Sequence, residues 1–158
     1  MSEPLLFLDV DGTLLPFAPR TRVPTAPGDN PLLDRLDPAD GARLRALGCP
    51  LVWATTWGDQ ANQVLSPRLG LPELPVLDWS DDDHEPPPGV HWKTPALVRW
   101  AAGRPFAWLD DEIFDADRRW IAAHHPAPIL AHRVDARSGL TPADFAAVHR
   151  WLTANRDS

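Results

Sequence analysis

Apolar residues in this chain gather into short uninterrupted blocks, and the main blocks stop abruptly at polar residues. Leu5-Leu6-Phe7-Leu8 ends at Asp9-Val10-Asp11-Gly12, Leu51-Val52-Trp53-Ala54 at Thr55-Thr56, and Phe106-Ala107-Trp108-Leu109 at Asp110-Asp111-Glu112. A half-exposed strand would alternate apolar and polar positions, so continuous blocks of this length predict strands covered on both faces, as in a parallel sheet. Pro75-Val76-Leu77 and Ile129–His132 predict two shorter strands. Helices are predicted over Ala39–Leu47, Asp59 to about Leu69, Thr94–Ala102, Ala116–His124 and Thr141–Ala154. Thr94 and Thr141 read as caps, each followed by a proline in the first turn, and Gly48, Gly70 and Gly103 read as stops. Strand and helix alternate along the chain. That order predicts an α/β fold, a three-layer α/β/α sandwich around a mainly parallel sheet.

Two stretches interrupt the pattern. Pro16 to Pro31 holds five prolines with Gly28, Asp29 and Asn30, which suits a loop or short hairpin and neither a central strand nor a helix interior. Ser80–Gly89 is acidic and then proline-rich, and reads as a solvated connector. With 158 residues the chain is long enough for one domain with a core and too short for two ordinary ones, so residues 1–158 are taken as one domain. A hydrophobic share of 44% and a charged share of 23% exclude a disordered segment. No apolar run approaches the ~20 residues of a membrane helix, and the start lacks a basic stretch followed by an apolar one. Cys49 is the single cysteine and has no internal disulfide partner. These features lead to the expectation of a cytoplasmic protein. The net charge of -7 argues against bulk electrostatic binding of nucleic acid. Among 15 basic residues only Lys93 is a lysine, which makes its position informative.

In doubly wound sheets, ligands bind beyond the carboxyl ends of the strands. Here those ends carry Asp9 and Asp11, Thr55 and Thr56, and Asp110 and Asp111, with Lys93 at a helix start between the last two sets. Crowded carboxylates repel unless a cation is present, and Mg²⁺, a hard ion favouring carboxylate and phosphate oxygens, answers that need. A cation and a lysine can neutralise phosphoryl oxygens while an aspartate attacks phosphorus. The Gly12-Thr13 amides are a candidate anion nest.

The segment Leu5–Leu14, with its Asp9-Val10-Asp11-Gly12-Thr13 core, resembles the first motif of the haloacid dehalogenase (HAD) superfamily. Leu51–Thr55 is similar to the second motif, Lys93 to the third, and Trp108-Leu109-Asp110-Asp111 to the fourth, all in family order over residues 5 to 111. Trp53–Trp57 with Ala61-Asn62, Leu69–Pro72, Trp108–Glu112 and Gly139–Thr141 resemble the small HAD domains associated with RNA-repair systems. The resemblance implies a HAD-like Rossmannoid fold and a magnesium-dependent phosphohydrolase working through an aspartyl-phosphate. It implies Asp9 as nucleophile and magnesium ligand. Asp11 would be the general acid and then base, its backbone carbonyl offered to the metal. Thr55 would hydrogen-bond a phosphoryl oxygen, and Lys93 would neutralise the phosphorylated aspartate. Asp111 would be a further carboxylate ligand, with Asp110 orienting it or taking its place. About 40 residues separate each pair of motifs up to Lys93, so the implied member is capless, with a short flap from Leu14 to about Pro31. An open site suits a bulky phosphate ester: a nucleotide, a nucleic-acid end or a phosphoprotein, greeted by Arg20 and Arg22.

Two rival readings keep the same residues: phosphoryl transfer to an acceptor other than water, and a non-catalytic phosphate-binding module. Response-regulator receivers also gather acids, a threonine and a lysine, but their paired acids follow the first strand and the acceptor comes later. Here Asp-x-Asp comes first and Asp-Asp late, and neither Asp9 nor Asp11 is missing. Asp81-Asp82-Asp83 reads as solvated surface, and His84, His91, His124 and His125 have no ligand-like spacing. Trp53, Trp108, Trp120 and Trp151 read as core, whereas Trp57, Trp79 and Trp92 lie near motif loops, where an aromatic face can stack a base.

Overall fold

In the computed structural model, residues 3–17, 36–77 and 88–155 are described. Four strands form one sheet: β1 (Leu5–Leu8), β2 (Leu51–Trp53), β3 (Phe106–Asp110) and β4 (Ile129–Arg133), in the order β2-β1-β3-β4 and parallel throughout. The helices are α1 (Ala39–Ala46), α2 (Ser66–Leu69), α3 (Thr94–Ala101), α4 (Asp115–His124) and α5 (Pro142–Asn155). The uninterrupted apolar blocks are explained by two cores, one on each face of the sheet. Leu6, Leu8, Trp53 and Leu109 pack with Leu44, Leu69, Val148 and Leu152 from α1, α2 and α5. Phe7, Val52, Phe106 and Trp108 pack with Leu97 and Ile121 from α3 and α4. This is the expected three-layer α/β sandwich. Among the described residues no element caps the carboxyl ends of the strands, and no helix is long and apolar enough to cross a membrane.

Register decides where the chemistry can sit. Leu8 pairs with Trp53 on one side and Leu109 on the other, so β1, β2 and β3 leave the sheet at one level. Asp9, Thr55 and Asp110 therefore emerge together at one rim.

Three local expectations change. Pro75–Leu77 makes only an isolated bridge from Val76 to Trp53 at the β2 edge, since Pro75 has no amide to extend a ladder. The segment from Asp59 begins as turns and a π-helical turn over Ala61–Leu65 before α2. There Pro67 lacks the amide an α-helix would use, and the Ser66 amide reaches back to the Ala61 carbonyl. Thr94 does not cap α3; it is the helix's first residue, and its hydroxyl donates to Asp117. Thr141, by contrast, caps α5 as expected: its hydroxyl accepts the Asp144 amide, and the Asp144 carboxylate accepts the Thr141 amide in return. Most of the flap, with Arg20 and Arg22, and most of the connector, with Trp79, Asp81-Asp82-Asp83 and His84, lie outside the described residues.

At Gly41, α1 packs directly on the backbone of α2 at Leu69. A Cβ there would stand 1.7 Å from the Leu69 carbonyl oxygen, a backbone atom that cannot swing aside. Gly41→Ala is therefore expected to cost about 3 kcal/mol, at the upper end of overpacking penalties. A urea midpoint lowered at unchanged slope would confirm it, and a wild-type midpoint would refute the packing described.

Candidate active site

Asp9 is the first residue beyond β1, held by its amide to the Leu109 carbonyl at 3.1 Å. The chain then turns sharply: the amides of Thr13, Leu14 and Leu15 all donate to the Val10 carbonyl, and Gly12 donates to Leu15. The Gly12 and Thr13 amides are thus engaged inside the turn and do not form the expected anion nest. Gly12 has φ +80°, and a Cβ there would stand 2.4 Å from Asp111 Oδ2. The missing side chain leaves the space that the Asp111 carboxylate fills.

Around Asp9 the partners are close and buried. The Thr13 hydroxyl donates to Asp9 Oδ2 at 3.2 Å. Lys93 Nζ donates to Asp9 Oδ1 at 2.8 Å and to Asp110 Oδ2 at 3.0 Å. Asp110 Oδ1 accepts the Glu112 amide at 3.0 Å. Asp9, Lys93 and Asp110 are each 5% exposed or less, so these ion pairs are shielded from water.

One ammonium serves two of the three clustered acids. Burial pushes the Asp9 carboxyl up to about 8; Lys93 opposes the rise, and Asp110 and Asp111 add to it. Burial first, and then the Asp110 carboxylate, push Asp111 up to about 6. Burial works against the Lys93 charge, yet Asp9 and Asp110 outweigh it and hold the ammonium above the ordinary lysine value. Asp9, Asp110 and Asp111 each present one oxygen, all within 4.8 Å of one another. An all-carboxylate donor set, with Asp111 seated against Gly12, fits a small hard cation such as Mg²⁺.

Asp11 is exposed and turned toward the Trp57 indole, whose Nε1 stands 3.3 and 3.4 Å from its two oxygens. Thr55 is buried, and its hydroxyl oxygen accepts the Trp57 amide at 3.2 Å. Its neighbour Thr56 is the threonine that lines the cleft. That open cleft, about 190 Å³, is walled by Asp9, Asp11, Thr56, Lys93, Asp110 and Asp111, together with Phe17, His91, Trp92 and Glu112. A larger hollow of about 540 Å³ lies beside the π-helical turn, and none of the clustered acids lines it.

His91, which has no ligand-like spacing in the sequence, and Phe17, which no motif marks, both line the cleft. His91 Nδ1 accepts the Lys93 amide at 3.1 Å, and Nε2 lies 3.0 Å from Glu112 Oε2. With Nδ1 accepting, the ring proton sits on Nε2 and points to Glu112. Its position two residues before the only lysine was the available signal.

A family model described as "HAD domain in Swiss Army Knife RNA repair proteins" matches residues 5–145. No curated protein and no solved structure matches the chain.

Proposed function

The chain belongs to the HAD domains of Swiss Army Knife RNA repair proteins, and from that premise we propose that it is a magnesium-dependent phosphohydrolase acting as a single capless domain over residues 1–158. The observation that carries the reading is the buried Asp9–Lys93–Asp110 arrangement beside Asp111, a cluster of three acids with oxygens close enough to share a cation, lining an open cleft.

Asp9 is the proposed nucleophile. One carboxylate oxygen bonds to phosphorus as the bond from phosphorus to the leaving oxygen breaks, giving an aspartyl-phosphate. Asp11, exposed at the cleft wall, gives its proton to the leaving oxygen. It then takes a proton from the water that attacks the phosphorus, releasing inorganic phosphate and restoring Asp9. Lys93 holds the Asp9 carboxylate in place and offsets phosphoryl charge, and Thr55 steadies the β2 rim through the Trp57 amide, with its hydroxyl the expected partner of a phosphoryl oxygen. Asp9, Asp110, Asp111 and the Asp11 carbonyl would hold the magnesium ion. When bound, the ion supplies positive charge that neutralises the acids and the phosphoryl oxygens.

A phosphomonoester at a nucleotide or RNA end is the substrate this reading favours. The family's RNA-repair setting supports it, and so do two aromatic side chains on the cleft wall, Phe17 at 57% and Trp92 at 40% exposure, which offer faces to a base.

Hydrolysis of an aryl phosphate tests the reaction class. Turnover is expected with Mg²⁺, reduced by about 10³-fold in EDTA and restored by added Mg²⁺, as befits several kcal/mol of charge stabilisation from the ion. Turnover indifferent to EDTA would sink the metal-dependent reading.

A further inference from the structure

One fully buried carboxylate takes no part in the proposed chemistry. Asp117 lies at the third position of α4, without exposure, and accepts three hydrogen bonds. Its Oδ2 takes the Phe114 amide at 2.8 Å, the ordinary task of an acid in a helix's first turn. Its Oδ1 serves another segment altogether, taking the His91 amide at 2.6 Å and the Thr94 hydroxyl at 2.7 Å.

The two oxygens therefore join residues 91–94, which carry Lys93, to the loop leaving β3, which carries Asp111 directly after Asp110 at the strand's end. The junction is braced on either side. The Lys93 amide donates to His91 Nδ1, His91 Nε2 reaches Glu112, and the Glu112 amide donates to Asp110. Gly89 packs so closely on α4 that a Cβ there would stand 3.3 Å from the Ala116 Cβ. Helix capping alone needs one acceptor and no burial. A carboxylate taken wholly out of water persists only when its desolvation is offset by several donors, and here two of the three belong to the lysine segment.

We propose that Asp117 is a positioning residue that fixes the Lys93 segment against the acid-bearing loop, so that Lys93 Nζ stays within hydrogen-bond distance of both Asp9 and Asp110. The kinetic consequence rests on the phosphohydrolase reading; the geometric one does not. Misplacement of a reacting group by about 1 Å is enough to cost about 10²-fold in rate.

Thr94→Val tests this with little risk to folding, since it keeps the side chain's shape and leaves Asp117 intact while removing one donor. Because Lys93 is the only lysine, lysine labelled at its ε-carbon gives a single NMR signal that reports its surroundings directly. Thr94→Val is expected to lower kcat about 10-fold or more with KM within about 3-fold, to move the lysine signal, and to be restored in both by Thr94→Ser. An unmoved lysine signal overturns the proposal, whatever happens to kcat or to the melting temperature. A moved signal with kcat unchanged overturns it as well. If the wild type turns over no phosphate ester, the phosphohydrolase reading fails separately, and the lysine signal alone decides: moved supports the positioning role, unmoved overturns it.

Discussion

Asp9→Asn is expected to lower turnover by about 10⁴-fold or more, the scale on which enzymes lose activity when a nucleophile is removed, without destabilising the fold. The amide cannot form the acyl phosphate, yet it has the same shape and keeps an oxygen for Lys93. The Thr13 hydroxyl can reverse its role and accept from the new NH₂ group. Burial already pushes the Asp9 carboxyl up to about 8, so the folded chain penalises its charge at neutral pH, and a neutral side chain relieves that penalty. The melting temperature of the metal-free variant is expected to equal or exceed that of the wild type. A variant that loses activity only because it unfolds would contradict this picture, and so would one that keeps substantial turnover.

Lys93→Met is expected to have the opposite balance, a large loss of stability together with a large loss of rate. The ammonium is the shared partner of Asp9 and Asp110, both buried, and removing one member of such a pair typically costs about 3–5 kcal/mol. Turnover is expected to fall about 10²- to 10³-fold, as when one preorganised donor is lost from a transition state. The pH dependence has a definite sign. Asp9 and Asp111 both bind a proton more tightly folded than unfolded, so their protonation supports the metal-free fold at low pH. That support is lost as pH rises from the ordinary carboxylate range through about 6 and then about 8. Without Lys93 the loss becomes steeper. Thermal melts at pH 5 and pH 8, with and without Mg²⁺, measure it: the ion is expected to raise the melting temperature most for Lys93→Met at the higher pH. An equal Mg²⁺ effect in wild type and variant at both pH values would show that Lys93 and the cation do not share these acids.

Much of this site was legible in the sequence because a parallel sheet translates strand ends into a rim. Three apolar blocks stopping at polar residues were enough to bring Asp9, Thr55 and Asp110 together, and the register of Leu8 with Trp53 and Leu109 explains why. The scarcity of lysine made Lys93 conspicuous, and its two ion pairs set it between Asp9 and Asp110. What stayed hidden depends on contacts between segments remote in sequence. Gly12 looked like a turn residue, yet its lack of a side chain matters equally for the Asp111 carboxylate 99 positions later. Thr94 looked like a helix cap by every local sign, but a buried carboxylate from α4 claims its hydroxyl. The anion nest expected at Gly12-Thr13 failed for a similar reason: the Val10 and Leu15 carbonyls satisfy those amides first. Local pattern names the residue, and tertiary hydrogen bonding decides its use.

A covalent phosphate at Asp9 is the central step of the proposed reaction. The decisive measurement is acid quench of the protein while it turns over a phosphate ester with Mg²⁺, followed by mass spectrometry of the peptide that carries residue 9. A phosphate on Asp9 is expected to form within the first turnover and to be absent in Asp9→Asn. Steady turnover with no phosphate on Asp9, or with the phosphate on another residue, would contradict it.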